Sequence, residues 1–181
     1  QSPRCPAKVL ADIGGRPMIE HVYRRAAATP GVDSVVVATD DERIATAVER
    51  FGGVIRMTQT THRTGTDRVA EVAASLECDI VVNLQADLPL IEPEMIAQAI
   101  APLNLDPREE MATLRQRITD ASELSSSNVV KVVVDRNGDA LYFSRAPIPF
   151  LRGSGETFKH IGLYAYGRRF LLTLASLPQT P

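Results

Sequence analysis

Tryptophan is absent from the chain, cysteine occurs twice and histidine three times. The missing tryptophan decides nothing, but the other two scarcities exclude chemistry. Cys5 and Cys78 lie far apart with no metal-ligand spacing, so two isolated thiols fit a reducing cytosol rather than a disulfide scaffold. The histidines form no cluster that would support a zinc site. No apolar run approaches the ~20 residues of a transmembrane helix, and no signal-peptide pattern is visible. An excess of basic charge is lacking too. The formal net charge is -2, with acidic and basic residues interspersed, which argues against a general nucleic-acid or membrane-surface binder.

What is present, over 181 residues, is an alternation of strand and helix patterns that suits one α/β domain. The opening segment, Gln1 to Leu10, has neither alternation nor helical period and reads as a loop. Arg4 and Lys8 in it either cradle a polyphosphate, one as a planar fork and one as a point charge, or belong to a solvated basic loop. Gly14-Gly15 marks a turn, and Pro17 fits the first turn of a helix running to about Ala28. Ser34 to Thr39 reads as a buried strand, Asp40 or Asp41 as the cap of the next helix, and Val54 to Met57 as a third strand. Strand, helix, strand, helix, strand is the doubly wound pattern.

His62-Arg-Thr-Gly-Thr-Asp-Arg68 then precedes another helix. Gly65 lets a backbone approach a ligand closely, Thr64, Thr66 and Asp67 offer hydrogen bonds, and a helix N-terminus offers free donors. The same residues also spell an ordinary cap. Ile80-Val-Val-Asn-Leu-Gln-Ala-Asp-Leu-Pro89 opens as a strand buried on both faces and turns polar at Gln85 and Asp87, with Pro89 ending the ladder. Ligands of open α/β sheets bind beyond the carboxyl ends of strands. A carboxylate there suits Mg²⁺, which takes one or two carboxylates plus substrate phosphates; alternatively Asp87 caps the turn.

Glu92-Pro-Glu starts a helix, Asn104 to Glu110 reads as loop, and Met111 to Ile118 as a strand. Asn128 to Phe143, with Asn137-Gly138 at its centre, predicts a β-hairpin with a type I′ turn, an antiparallel inset in a βαβ chain. Arg145 after it either clamps a carboxylate or pairs with a nearby acid. Lys159 to Tyr166 alternates, placing His160, Gly162, Tyr164 and Tyr166 on one face, the makings of a sugar-binding wall or of an amphipathic edge strand.

Taken together these stretches resemble the 3-deoxy-D-manno-octulosonate cytidylyltransferase (CMP-Kdo synthetase) family. The resemblance rests on Ser2-Pro-Arg-Cys-Pro-Ala-Lys-Val-Leu10, Gly14-Gly-Arg-Pro-Met-Ile19, Val35-Val-Val-Ala-Thr-Asp40 and His62-Arg-Thr-Gly-Thr-Asp-Arg68. It continues through Asn83-Leu-Gln-Ala-Asp-Leu-Pro89, Leu141-Tyr-Phe-Ser-Arg-Ala-Pro-Ile-Pro149 and His160-Ile-Gly-Leu-Tyr-Ala-Tyr166. It implies a nucleotidyltransferase-type, Rossmann-like mixed sheet flanked by helices. Residues 1–181 would form one such domain, with an inset at roughly 103–166 for sugar binding and dimerisation.

The implied reaction is cytidylyl transfer from CTP to Kdo, giving CMP-Kdo and pyrophosphate for lipopolysaccharide synthesis in the cytoplasm. It is Mg²⁺-dependent in a homodimer, with no nucleic-acid partner and no membrane insertion. By the same resemblance Arg4, Lys8 and Asp87 are catalytic, Asp87 binds the Mg²⁺, and Arg4, Lys8, Thr64, Gly65, Thr66, Asp67, Arg68 and Asp87 hold the nucleotide. Gln85, Arg145, His160 and Tyr164 contact the sugar acid. Ala7 and Ala86 replace family glycines, where a positive φ would strain them, and Leu88 stands where many relatives carry Glu. A leading strand and a closing segment with a second metal-binding Asp are expected but absent from the sequence, which implies a longer chain. Two alternatives stay open: a cytidylyltransferase for another acid sugar, such as an amino-Kdo, and a non-catalytic nucleotide-binding dimeric module.

Overall fold

Glycines 14 and 15 both adopt positive φ, 63° and 87°, and so close a two-residue turn of the I′ kind between β1 (Asp12–Ile13) and β2 (Arg16–Pro17). The computed structural model describes residues 8–153 and 155–178. They divide into two compact units, 113–162 and the remainder. Arg4 and Ala7 lie outside the described residues.

In the larger unit, α1 (Met18–Ala27) follows directly, with Pro17 as its extended N-cap rather than inside its first turn. Next come β3 (Val36–Thr39), α2 (Glu42–Arg50) and β4 (Val54–Met57), and β3 and β4 pair in parallel as the alternating pattern predicts. Asp41 is the N-cap of α2, accepting from the Arg43 amide at 2.9 Å. Hydrogen bonds from Arg43 hold its carboxyl down at about 2. Gly52, at φ 78°, ends that helix. A Cβ on Gly53 would sit 2.5 Å from Val48 Cγ1, so any larger residue at the return to β4 would force neighbouring side chains to shift.

Helix α3 (Gly65–Ala74), strand β5 (Ile80–Leu84) and helix α4 (Pro93–Leu105) complete the first half. α4 runs past Asn104, so the loop expected from 104 to 110 starts later. β6 (Met111–Arg117), α5 (Ala121–Ser125), β7 (Lys131–Val134) and β8 (Ala140–Ser144) follow. The long β9 (Phe158–Gly167) leads into α6 (Arg168–Ser176). Among the described residues no helix is long and apolar enough to cross a membrane.

Two expectations are corrected here. β5 is not a strand buried on both faces: among the described residues it pairs only with residues 163–167 of β9, antiparallel, and of its own residues only Asn83 is fully buried. Its apolar run was misleading because period alone does not reveal a strand's partner 80 residues away. The β7–β8 hairpin forms, but not through a type I′ turn. Within the loop only Gly138 has positive φ (98°), and among the described residues no non-glycine residue does. The loop is longer and is held by the Asp135 carboxylate, which accepts from the Asn137 and Asp139 amides at 2.8 and 2.9 Å. An Asx turn with one left-handed glycine replaces the tight turn. The absence of positive φ outside glycine also means that Ala86 carries no such strain.

One core cluster of the larger unit gathers Ala70 and Ala73 of α3, Tyr166 of β9 and Leu171 of α6, with Val81 and Tyr164 packed against them. Small residues on α3 allow α6 to approach closely, and Leu171 fills the space with no exposed surface. Leu171→Ala is expected to cost about 3 kcal/mol in urea unfolding, whereas Leu177→Ala, at a residue 58% exposed, is expected to cost under ~0.5 kcal/mol. Equal costs at the two positions would show that this cluster is not the core of the unit.

Candidate active site

β5 ends at Leu84, and Gln85, Ala86 and Asp87 continue beyond its carboxyl end before the turn at Leu88–Ile91 and helix α4. Lys8 opens a short 3₁₀ turn (Lys8–Leu10), and its ammonium reaches the Asp87 carboxylate at 3.1 Å. Both side chains are largely open to solvent, 61% and 46% exposed. An ion pair of that kind is worth at most ~1 kcal/mol. Either partner therefore exchanges readily, Lys8 onto a phosphate oxygen and Asp87 onto a cation.

The start of α3 lies against the same strand end. A Cβ on Gly65 would stand 3.6 Å from Gln85 Nε2, which is ordinary contact. Thr64 is the N-cap, and with Asp67 it forms a reciprocal capping box, each bond 3.1 Å. Of the two sequence readings of Thr-Gly-Thr-Asp, the cap is thus present, while the first-turn amides of Gly65 and Thr66 are still available to an anion or a base edge. Arg68 turns the other way. It bonds Asp40 at 2.9 Å and also Thr58, tying the ends of β3 and β4 to α3.

The residue that joins these parts is Asn83, which sequence reasoning passed over. It is 4% exposed; its Nδ2 donates to Thr66 Oγ1 at 3.5 Å, and its Oδ1 accepts from Gln85 Nε2 at 3.4 Å. Across the ladder it faces Tyr164. Tyr166 also hydrogen-bonds Thr66, and burial pushes both tyrosine phenols above their usual value. The two rings stack at 6.1 Å between centroids, 23° between planes. A polar residue inside the apolar Ile-Val-Val-Asn-Leu run was the available signal.

His62 is mostly buried and pairs with Glu71 of α3. Glu71 also accepts from the Gln59 amide at 3.1 Å. The loop between β4 and α3 is thereby pinned to the helix it precedes. The bond from His62, and then that from Gln59, hold the Glu71 carboxyl below its usual value of 4.5.

The 113–162 unit holds the other candidates. His160 Nε2 lies 2.8 Å from Thr113 Oγ1, and its ring meets Phe143 edge-on at 4.9 Å. Burial lowers the His160 pKa, favouring neutral imidazole. These residues line a cavity of about 110 Å³ with Val132 and Ala140. Arg145, after β8, donates from Nη1 to the Ser127 carbonyl at 2.7 Å. Neither of its sequence readings is realised in that bond: among the described residues no acid pairs with it. Lys131 of β7, also passed over, is fully buried. Its signal was a cation in the middle of Val-Val-Lys-Val-Val-Val.

Comparison with known proteins places this geometry. A family model described as cytidylyltransferase matches residues 1–181. The 3-deoxy-manno-octulosonate cytidylyltransferase of Pelobacter propionicus is 55% identical, over 99% of this chain and 75% of its own length. That of Geobacter metallireducens is 53% identical, over 99% and 76%. Among solved structures, CMP:2-keto-3-deoxy-manno-octonic acid synthetase complexed with CTP superposes with a TM-score of 0.93 at 46% identity, over 99% of this chain and 75% of that one. A 4-diphosphocytidyl-2C-methyl-D-erythritol synthase from Anaerococcus prevotii, at 13% identity and TM-score 0.60, shares the fold.

The Glu71 contacts yield a pH-dependent outcome. A carboxylate whose folded pKa is depressed adds stability above its unfolded value, and that stability is lost as pH falls through the folded value. Glu71→Gln is expected to lower the melting temperature at pH 7, with the gap to the unmodified protein closing once pH drops below about 4.5. A gap independent of pH would mean that the carboxylate charge is not what pins the loop.

Proposed function

The chain belongs to the cytidylyltransferase family and, within it, to the 3-deoxy-manno-octulosonate cytidylyltransferases; on that premise we propose how its residues transfer a cytidylyl group from CTP to 3-deoxy-manno-octulosonate (Kdo), releasing pyrophosphate. The observation that carries the reading is the meeting of Lys8 and Asp87, 3.1 Å apart, at the end of β5. The first turn of α3 is close by, against Gln85.

Phosphoryl and nucleotidyl transfers ask for positioning and charge neutralisation rather than a covalent protein intermediate. Lys8, with Arg4 as its partner, neutralises the triphosphate and then the departing pyrophosphate. The start of α3, Thr64 through Arg68, receives the nucleotide, with donors from Gly65 and Thr66 and with Thr64, Asp67 and Arg68 holding the turn in shape. Asp87 is the residue that would hold a magnesium ion. Among the described residues no three carboxylate, imidazole or thiolate groups gather to cage a metal. A single exposed carboxylate instead fits the mode in which Mg²⁺ completes its shell with substrate phosphates and water. An ion held by Asp87 would supply charge neutralisation at the α-phosphate and lower the pKa of the attacking hydroxyl.

Kdo is assigned to four residues. Gln85 and Tyr164 approach its hydroxyls, Asn83 holding Gln85 in place. In the 113–162 unit, neutral His160 donates or accepts a hydrogen bond without competing for the carboxylate, and Arg145 takes the carboxylate through its remaining N–H groups. That unit, inside the wider 103–166 stretch, is also assigned to a second copy of the chain. Leu141, Tyr142 and Phe150 are 65, 64 and 89% exposed, more apolar surface than one hairpin and its following loop ordinarily leave to water. The reaction is placed in the cytoplasm, in keeping with two isolated cysteines.

Asp87→Asn is expected to abolish Mg²⁺-dependent pyrophosphate release, a drop of at least ~100-fold in kcat, with circular dichroism unchanged. Near-normal turnover would remove Asp87 from the metal. Arg145→Ala is expected to raise the KM for Kdo about tenfold or more, as loss of a charge-assisted bond does, and to leave that for CTP within about twofold. An equal rise for CTP would contradict the carboxylate assignment.

A further inference from the structure

Lys131 is 0% exposed and is the largest fully buried side chain among the described residues. Bringing an ammonium out of water is costly even after the surroundings relax, so the group must be held by its neighbours. Among the described residues it makes no ion pair with any carboxylate. Its Nζ instead donates to the Ser126 and Val129 carbonyls, each at 2.8 Å, and to the Arg145 carbonyl at 2.5 Å. Three acceptors match the three donors of an ammonium; a neutral amine has one donor too few.

The choice of acceptors is informative. Ser126 and Val129 bracket the short turn after α5, closed by the Val129 amide on the Ser126 carbonyl at 3.3 Å. Inside that turn is Ser127, whose carbonyl accepts from Arg145 Nη1 at 2.7 Å. The third acceptor is the backbone of Arg145 itself. One ammonium therefore anchors both the main chain of Arg145 and the turn against which its guanidinium rests. The Ser127 bond uses one of five guanidinium N–H groups, and the side chain is exposed. The fork is thus aimed, not consumed.

A purely structural need would be met more cheaply by an apolar residue at this strand position, since replacing buried charge by well-packed apolar groups is often neutral or stabilising. We propose that Lys131 is a positioning residue for the sugar acid: a buried cation that sets the direction of Arg145. This rests on the assignment of Arg145 to the substrate carboxylate. Lys131 touches no substrate and acts only through Arg145 and the Ser126–Val129 turn.

The test is a double-mutant cycle in the full-length protein, reading the KM for Kdo, the KM for CTP and kcat for Lys131→Met, Arg145→Ala and the double variant. Lys131→Met is expected to raise the KM for Kdo roughly tenfold, with the KM for CTP within about twofold, and to add less than about twofold in the Arg145→Ala background. Because KM reports on the folded fraction, partial misfolding would lower kcat alone; that result, with both KM values unchanged, overturns the proposal and makes the lysine structural. A full tenfold effect persisting without Arg145 overturns it as well. If Lys131→Met does not fold, Lys131→Gln, which keeps part of the donor set, is expected to show a smaller rise confined to Kdo. Should Arg145→Ala itself leave the KM for Kdo untouched, the carboxylate assignment fails; should it raise that KM while neither Lys131 variant does, only the role of Lys131 fails.

Discussion

The antiparallel ladder between β5 and the second half of β9 is the constraint on which the larger unit depends. Its register sets Asn83 against Tyr164 and Val81 against Tyr166. On one side it carries the core, where Tyr166 meets Ala70, Ala73 and Leu171. At its end it projects Gln85 and Asp87. Because strand side chains alternate, a slip of one residue would send Asn83 and the tyrosines to the opposite face. The site's polar residues and the unit's apolar core therefore hold one another in register.

Strength is distributed unevenly around the candidate site. The frame is held by partly buried contacts: Arg68 to Asp40 and Thr58, His62 to Glu71, Asn83 to Thr66. The end proposed to react is held by one exposed pair, Lys8 and Asp87. This division suits nucleotidyl transfer. Groups that must meet charged ligands should give up their own partner at small cost, while those that aim them should not move. The 113–162 unit follows the same logic with a different device, a buried ammonium that satisfies itself on carbonyl oxygens and leaves the neighbouring guanidinium outside.

Much of this was legible beforehand. The Asp41 cap, the Gly14-Gly15 turn, the β3–α2–β4 unit and the helix opened by Thr64 follow from signals only a few residues long. Gln85 and Asp87 could be located because a β-branched run breaks into polar residues before a proline. The hairpin was legible, but its turn type was not, since the Asp135 side chain competed for the loop amides. Asn83 and Lys131 were missed because an isolated polar residue in an apolar run looks the same whether it is tolerated at a surface or satisfied inside.

The sequence by itself determined the family and the rough place of most helices and strands, because caps, turns and motifs are local and survive without knowledge of what packs on what. Only the tertiary structure decided that β5 runs antiparallel to β9, that Arg68 straps strand ends together, that Lys8 meets Asp87 and that three carbonyls converge on Lys131. Apart from the nearby Ser126 and Val129 carbonyls, those contacts join residues from 10 to 87 positions apart. Such pairings are selected by burial and hydrogen-bond satisfaction over the whole chain, and no window of sequence contains them.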